Sequence, residues 1–159
     1  MQHSANRLLC ENTVKTYLSS TQVLAAIEDL LSSSRPSFRR SPLVEVAEQL
    51  AHGRNYSWVG IYLTLDKKSF ATEQSGVHPA QVAVPGTVKK VLVSIRIAGR
   101  ELGFLNVESD RDSAFGTTDR VLLERVAGLL GRFLTGRGKY LVRKTAQVKS
   151  GSPSKAAVA

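Results

Sequence analysis

The sequence predicts an α+β domain in which helices cover one face of an antiparallel β-sheet. Apolar residues recur at helical spacing before Ala51, alternate with a period of two between Trp58 and Val107, and return to helical spacing after Thr118. The alternating segments also pair around two short turns, which is typical of consecutive β-hairpins. With 159 residues, 42% of them hydrophobic, the chain is long enough to bury one core.

The first predicted helix is an amphipathic segment near the N-terminus. Its apolar residues fall on one helical face, and they are Val23, Leu24, Ile27, Leu30 and Leu31. Ser20 or Thr21 can cap its start, because a serine or threonine hydroxyl accepts a hydrogen bond from a free backbone N–H. The segment SSSRPSFRRSP, which contains two prolines, then breaks the helix.

A second helix is predicted to begin at the dipeptide Ser41-Pro42 and to run to about Ala51. Serine is a good N-cap residue, and proline fits the first helical position, where no N–H is needed. Leu43, Val46, Ala47 and Leu50 would be its buried residues. Gly53 is predicted to end it.

The first predicted hairpin runs through the segment WVGIYLTLDKKSFATEQ. Val59, Ile61, Leu63 and Leu65 alternate with Trp58, Gly60, Tyr62 and Thr64, and this alternation indicates a strand. A compact turn at Asp66-Lys67-Lys68 would reverse the chain. The partner strand is predicted from Phe70 to Gln74.

A second hairpin and a closing helix complete the predicted fold. One strand covers Val91–Ile97, the turn lies at Ala98-Gly99-Arg100, and the returning strand covers Leu102–Val107. A helix from about Thr118 to Leu134 then carries most of its apolar residues on one stripe. The resulting order of helix, helix, two hairpins and helix is that of an antiparallel sheet with helices gathered on one face.

The connection between the last strand and the last helix is rich in acidic residues. Glu108, Asp110 and Asp112 alternate like the first ligands of a calcium loop. The sixth position counted from Glu108 is Ser113 rather than the glycine that such a loop requires. We therefore expect no metal site and interpret the segment as a structural connector.

The same connector is expected to fix the start of the last helix. Ala114 and Phe115 would fold back onto the helical layer, and Thr117 or Thr118 would cap the helix. The negative charge of Asp119 would then interact favourably with the positive end of the helix dipole.

The basic character of the chain is concentrated at the C-terminus. From Arg132 onwards there are seven Lys and Arg and no acidic residue, so subtracting seven from the net charge of +9 leaves about +2 for the rest. We predict an N-terminal helical segment over residues 1–40, a domain over 41–135 and a basic, disordered tail over 136–159. Nucleic-acid binding is not expected, except through contacts of the tail with phosphate groups.

Signals for catalysis and for membranes are weak. No apolar run approaches the roughly 20 residues that cross a bilayer, and the N-terminus does not resemble a signal peptide, so a cytoplasmic protein is predicted. The single cysteine, Cys10, and the scattered His3, His52 and His78 form no catalytic or metal-binding pattern. We therefore predict no enzymatic activity, no metal and no cofactor.

The sheet face turned away from the helices is the predicted ligand-binding surface. Strand alternation places aromatic and polar residues there together, and they are Trp58, Tyr62, Ser94, Arg96, Phe104 and Asn106. A face with stacked rings and one cation suits a small anionic or planar ligand. The alternative is that this face is covered by the rest of the chain or by a partner protein.

Three segments together resemble a GAF domain, a fold similar to PAS domains. They are NYSWVGIYL in the first strand, VSIRIAGRELGFLNVES in the last hairpin, and AFGTTDRVLLERVAGLLGRFL at the entry to the last helix. The resemblance covers roughly Ser41–Leu134. It implies a signalling or regulatory role, in many members as a homodimer through the first and last helices.

Two departures from GAF domains bear on function. The hairpins are joined by only GVHPAQVAVPGTVKK, where GAF domains carry a longer segment that covers the ligand pocket, and this argues against a cyclic nucleotide or a tetrapyrrole. The strand WVGIYL also resembles free methionine sulfoxide reductases, whose chemistry uses pocket cysteines. Because Cys10 lies far along the sequence from the expected pocket, we expect no reductase activity.

Two functional hypotheses follow from these patterns. In the first, the chain is a reduced, non-catalytic GAF-like module for protein association, itself homodimeric and working with a signalling partner. In the second, it is a small-molecule sensor that binds its ligand on the open sheet face.

Overall fold

The computed structural model describes residues 17–36, 40–65, 68–76 and 89–143, with only the backbone for residues 65 and 68–76. Three long helices, α1 (Ser20–Ser33), α2 (Pro42–Arg54) and α3 (Thr117–Thr135), accompany four strands, β1 (Trp58–Leu65), β2 (Lys68–Gly76), β3 (Lys89–Ile97) and β4 (Arg100–Ser109). A short helix, α4, follows at residues 139–143. The α+β class predicted from the sequence is confirmed.

The described strands form one antiparallel sheet in the order β2-β1-β4-β3. In β1, Val59, Ile61 and Leu63 are buried, and they pair with Val107, Leu105 and Gly103 of β4. The β3–β4 turn is tight because Ala98 and Gly99 both adopt positive φ, at 47° and 76°, as a two-residue hairpin requires. The predicted turn at residues 66–68 begins outside the described residues.

The helices form a layer on one face of this sheet. Helix α2 contacts β1 and β2, α3 contacts β3 and β4, and α1 packs against both α2 and α3. Val23, Ile27 and Leu31 of α1 are buried in that position, which confirms the predicted apolar stripe. The described part of the chain contains no helix of the length and apolar character that a membrane crossing would require.

Two helix ends differ from the sequence-based expectation. The N-cap of α1 is Ser19, which forms a reciprocal capping box with Gln22, rather than Ser20 or Thr21. Helix α2 continues through Gly53 and ends at Asn55, which adopts the left-handed conformation. Gly53 is needed inside the helix because a Cβ there would lie 2.8 Å from Cγ2 of Val23 on α1.

The start of α3 also differs from the start that the sequence predicts. Its N-cap is Gly116, which makes no side-chain capping hydrogen bond, so neither Thr117 nor Thr118 has the predicted role. Ala114 is buried, and the Phe115 ring lies 5.5 Å from the Tyr56 ring. The connector thus folds back onto the helical layer as expected.

The segment after α3 returns to the core. Helix α4 contributes Leu141, which is only 7% exposed and joins the hydrophobic core cluster. The N-terminal part of the predicted basic tail therefore packs against the domain. The remaining residues, 144–159, lie outside the described part of the chain.

Candidate functional site

The outer face of the sheet, opposite the helices, consists of rows of residues set by strand pairing. Trp58, Glu108 and Lys90 form one row across β1, β4 and β3. The next row is Gly60, Asn106 and Leu92, and the third is Tyr62, Phe104 and Ser94. Five of the six predicted site residues lie in these three rows.

Trp58 lies flat against the sheet. It is only 4% exposed, although it belongs to the outer face. A Cβ added to Gly60, two residues along β1, would collide with the Trp58 ring, so only glycine leaves room for that orientation. The ring centroid lies 6.2 Å from that of Tyr62, with the planes tilted by 50°.

Tyr62 and Phe104 form a stacked pair in the middle of the outer face. Their ring centroids are 4.8 Å apart, and the planes differ by only 10°. Both side chains are half-buried. Ser94 pairs with Phe104 across β3 and is exposed, so a polar hydroxyl borders the stack.

Asn106 adds a polar group beside the aromatic residues. It is 4% exposed, and its Nδ2 donates a hydrogen bond of 3.3 Å to Oε1 of Glu108. Its Oδ1 is buried and has no hydrogen-bond partner among the described residues. An unsatisfied buried polar group costs about 1–3 kcal/mol. Oγ1 of Thr64, further along β1 on the same alternation as Tyr62, is also buried without a described partner.

Two described cations of the outer face, Lys90 and Arg96, are paired with carboxylates. Nζ of Lys90 lies 3.6 Å from Oε1 of Glu108, and Nη2 of Arg96 lies 3.4 Å from Oε2 of Glu101. A register shift after Ile95 places Arg96 opposite Glu101, near the β3–β4 turn. The structure thus brings Trp58, Tyr62, Phe104 and Asn106 together with Ser94 beside them, and it places Arg96 apart.

Glu108 is a residue of this face that the sequence analysis assigned to the connector. It lies within β4, which extends to Ser109 rather than ending at Val107. The sequence shows the alternation of Phe104, Asn106 and Glu108, and extending it by one step would have predicted Glu108 on the outer face. Burial raises the pKa of Tyr62, and the charge of Glu108 adds to that effect. Tyr62 is therefore a neutral hydroxyl at neutral pH.

A second polar cluster lies on the helical side of the sheet, at the start of α3. Asp119 Oδ1 accepts hydrogen bonds from Nη2 of Arg54 at 2.7 Å, from Nε of Arg54 at 3.1 Å and from the Tyr56 hydroxyl at 2.6 Å. Asp119 was predicted only as a favourable charge at the helix start. It instead joins α3 to the end of α2 inside the protein.

The surroundings of Arg54 show that this second cluster is structural. Its Nη1 donates to the backbone carbonyl of Leu18 at 3.0 Å, and its guanidinium lies 4.3 Å from the centre of the Tyr17 ring. Burial alone would lower the pKa of Arg54, but hydrogen bonds with Asp119 and Tyr56 outweigh it and the pKa is raised. The cluster therefore holds three segments of the chain together.

Residues with nucleophilic or metal-binding chemistry are sparse in the described part of the chain. No group of three or more His, Cys, Asp or Glu side chains there is arranged to hold a metal ion. In the connector, Asp110 accepts a hydrogen bond of 3.0 Å from the Ser57 hydroxyl. Cys10, His3 and His78 lie outside the described residues, as does the connection between β2 and β3.

Comparison with known proteins finds similarity in structure only. No protein-family model matches the sequence, and no curated protein matches it. The free methionine-R-sulfoxide reductase of Neisseria meningitidis, solved with its substrate, superposes with a TM-score of 0.63 at 18% identity, covering 79% of this chain and 98% of that one. A GAF domain from a phosphoenolpyruvate-protein phosphotransferase of Coxiella burnetii gives 0.62 at 13% identity, covering 80% and 97%.

Other reductases of this kind have the same fold. That of Staphylococcus aureus, in complex with its substrate, gives a TM-score of 0.57 at 17% identity and covers 74% of this chain and 96% of its own. The prediction that the chain is not an enzyme is contradicted by these neighbours, because enzymes acting on free methionine sulfoxide share its architecture. At such low identities the similarity establishes the fold, and the chain has the GAF-domain fold.

Proposed function

We propose that this protein is a GAF-type ligand-binding module that holds a small planar molecule with hydrogen-bond donors on the outer face of its sheet. The observation that carries the proposal is the buried Oδ1 of Asn106, which lacks a partner among the described residues and lies beside stacked rings. A ligand N–H would satisfy this oxygen while its ring contacts Tyr62 and Phe104. Binding sites commonly combine apolar surface with a few such polar groups.

The charges of the outer face favour a neutral or cationic ligand over an anion. Lys90 and Arg96, the described cations of this face, are within 4 Å of carboxylates, and the half-buried Glu108 next to Asn106 is the partner of Lys90. An amino or amidine-like group would gain a hydrogen bond to Asn106 and electrostatic attraction to Glu108. An anionic ligand would first have to displace one of the ion pairs.

Protein association through α1 has less support than ligand binding. The apolar stripe of α1, which suggested a homodimer, is buried against α2 and α3 of the same chain. Exposed large apolar side chains among the described residues are scattered, and they are Tyr17, Leu92 and Val121. Scattered residues of this kind are normal on a monomer surface.

The proposal can be tested by following the fluorescence of Trp58, the single tryptophan of the chain. Planar amines such as adenine, guanine and benzamidine are titrated, with benzoate as an anion of similar size. We expect a saturable change for at least one amine and none for benzoate. Native mass spectrometry of the freshly purified protein would show in parallel whether a ligand is retained.

Two variants localise the site. Asn106→Leu removes the unpaired oxygen while keeping the number of side-chain heavy atoms, and it is expected to weaken binding of the cationic benzamidine at least about tenfold, since a hydrogen bond to a charged group is worth about 1.5–3 kcal/mol. Val121→Ala, on an exposed position of α3, serves as the control and should bind like the wild type. Equal binding by both variants would place the ligand elsewhere.

Reduction of free methionine sulfoxide is the second candidate function, because the solved reductases have the same fold. In such a reaction a thiolate attacks the sulfoxide sulfur, methionine leaves, and the oxygen remains on cysteine as a sulfenic acid that an added thiol reduces to release water. Cys10 is the single cysteine available. Methionine production from the R-sulfoxide in the presence of dithiothreitol, lost in Cys10→Ser, would establish the activity.

A further inference from the structure

A separate cavity opens on the helical side of β3. It has a volume of about 400 Å³ and lies between the start of β3 and the connector that leads into α3. Val91, which pairs with Val107 and packs against the hydrophobic core, is one of its walls. Apart from Lys90, which ends the Trp58 row, the cavity is lined by none of the residues in the three outer-face rows, and the proposed ligand contacts do not use it.

Three of the eight residues that line the cavity are cationic. Lys89, Lys90 and Arg120 border it, and Lys90 shares its charge with Glu108 at 3.6 Å. Within the described part of the chain, no carboxylate lies within ion-pair distance of Lys89 or Arg120. Two unpaired cations on the same cavity create a positive local potential that attracts anions.

Gly116 and Ser113, at and before the start of α3, also line the cavity. Gly116 is the N-cap of the 19-residue helix α3 and provides no side-chain cap, so the backbone N–H groups of the first turn need another acceptor. Ser113 contributes a hydroxyl to the lining. Asp119, the acidic residue of the first turn, is bound inside the protein by Arg54 and Tyr56 and does not cap these N–H groups.

One wall of the cavity is apolar, and one lining residue is acidic. Phe115 and Val91 provide carbon surface next to the cations. Asp112 also lines the cavity and carries a charge that opposes an anion. Inorganic phosphate alone would leave the apolar wall uncovered, whereas an organic phosphate would contact both kinds of surface.

We propose that this cavity binds a small phosphomonoester. Arg120 and Lys89 would pair with the phosphate oxygens, and the Ser113 hydroxyl and the first N–H groups of α3 would donate hydrogen bonds to them. The organic part of the ligand would lie against Phe115 and Val91. Asp112 would limit the affinity.

The test is a titration with phenyl phosphate at constant ionic strength, followed by the backbone amide NMR signals. We expect saturable shifts of the Gly116 and Thr117 amides, which separate this site from binding by the basic C-terminal residues. Phenyl phosphate should bind at least about threefold more tightly than inorganic phosphate, since it also covers apolar surface. Phenol should cause no shift of these amides.

Variants with opposite expected effects make the test specific. Arg120→Gln is expected to weaken binding about tenfold, and Asp112→Asn is expected to strengthen it about threefold, because one removes an attractive charge and the other a repulsive one. Arg125→Gln, an exposed position further along α3, is the matched control and should bind like the wild type. Unchanged circular dichroism of each variant would verify folding.

The contrary outcomes are equally defined. The proposal is overturned if phenyl phosphate leaves the Gly116 and Thr117 amides unshifted at millimolar concentration, or if Arg120→Gln and Arg125→Gln bind alike. Inorganic phosphate binding as tightly as phenyl phosphate would rule out the role of the apolar wall. Tyr62→Leu should leave the shifts of the Gly116 and Thr117 amides unchanged. The phosphomonoester proposal therefore does not depend on whether the outer face binds a ligand.

Discussion

The two faces of the sheet are built from alternate residues of the same strands, and one buried polar side chain on each side is partnered differently. On the helical side, Ile61 and Leu105 are fully buried in the core. The buried carboxylate nearby, Asp119, receives hydrogen bonds from both Arg54 and Tyr56. On the outer side, Asn106 is buried with an unpaired oxygen beside a stacked aromatic pair. A buried polar group whose hydrogen bonds are all made within the chain indicates a role in stability. A buried polar group without a partner indicates a place where a ligand would bind.

The strongest way to test this comparison is to remove Asp119. Asp119→Ala would leave the Arg54 guanidinium and the Tyr56 hydroxyl buried without their common acceptor. We expect the free energy of unfolding to fall by about 3–5 kcal/mol. Urea unfolding followed by circular dichroism measures it. A loss below about 1 kcal/mol would show that water readily replaces the carboxylate and that the cluster is not a structural tie.

The apolar packing of the inner face gives the next largest effect. Leu105→Ala removes a fully buried side chain from β4, and we expect a loss of about 2–4 kcal/mol from lost contacts and the cavity left behind. Ser94→Ala, on an exposed outer-face position of β3, should change stability by less than about 0.5 kcal/mol. Similar losses for the two variants, in the same urea experiment, would remove the distinction between the faces.

The tyrosine of the inner cluster provides a pH-dependent test. Burial raises the pKa of Tyr56 above its ordinary value of 10.0, and its hydrogen bond to Asp119 adds to the shift. The unfolded chain therefore loses this proton first, so the contribution of Tyr56 is complete below about pH 10 and is lost as the pH rises through the folded pKa.

Tyr56→Phe isolates that contribution. The variant should be about 1.5–3 kcal/mol less stable than the wild type at neutral pH, because it lacks a hydrogen bond to a charged group. Between pH 9 and 11 the difference should shrink by up to about 1.4 kcal/mol per pH unit. The measurement is urea unfolding at several pH values. A difference that stays constant across this range would mean that the hydroxyl is not shielded in the folded state.

The exposed ion pair of the outer face should contribute least. Arg96 and Glu101 are 3.4 Å apart, with side chains 64% and 46% exposed. Glu101→Gln is therefore expected to lower the free energy of unfolding by less than about 1 kcal/mol. It would also free Arg96 to meet an anion. If Glu101→Gln gives the protein affinity for benzoate, ion pairing rather than shape excludes anions from this face.

The sequence predicted the elements well and their ends less well. Periodicity located all three long helices and the four strands, because the alternation of apolar residues reflects which side of each element is buried. The predicted N-caps of α1 and α3 were wrong by one residue or more. Neighbouring Ser, Thr and Gly residues are similar capping candidates, and only the backbone conformation shows which of them precedes the first helical turn. Gly53 was misread as a helix end because the close approach of Val23 from α1 is not visible locally.

Which residues share the outer face was predicted correctly, but the pairing of their polar groups was not. Strand alternation alone gave Trp58, Tyr62, Phe104 and Asn106 as neighbours, and the register confirms that they share the outer face. It did not reveal that Arg96 has a carboxylate partner, because the register shift after Ile95 decides which residue it faces. The exclusion of reductase activity rested on the position of Cys10 in the sequence, and sequence separation is a poor measure of distance in a folded chain.

The sequence by itself determined the α+β class, the two hairpins and the residues of the outer face, because each follows from a local period of hydrophobicity. Tertiary structure alone decided which polar groups are satisfied. Asp119 and Asn106 look alike in the sequence, as polar residues near the ends of their elements. One meets Arg54 and Tyr56 across more than sixty residues of chain, and the other keeps a buried oxygen without a described partner. Such pairing depends on how distant segments pack, which no local pattern encodes.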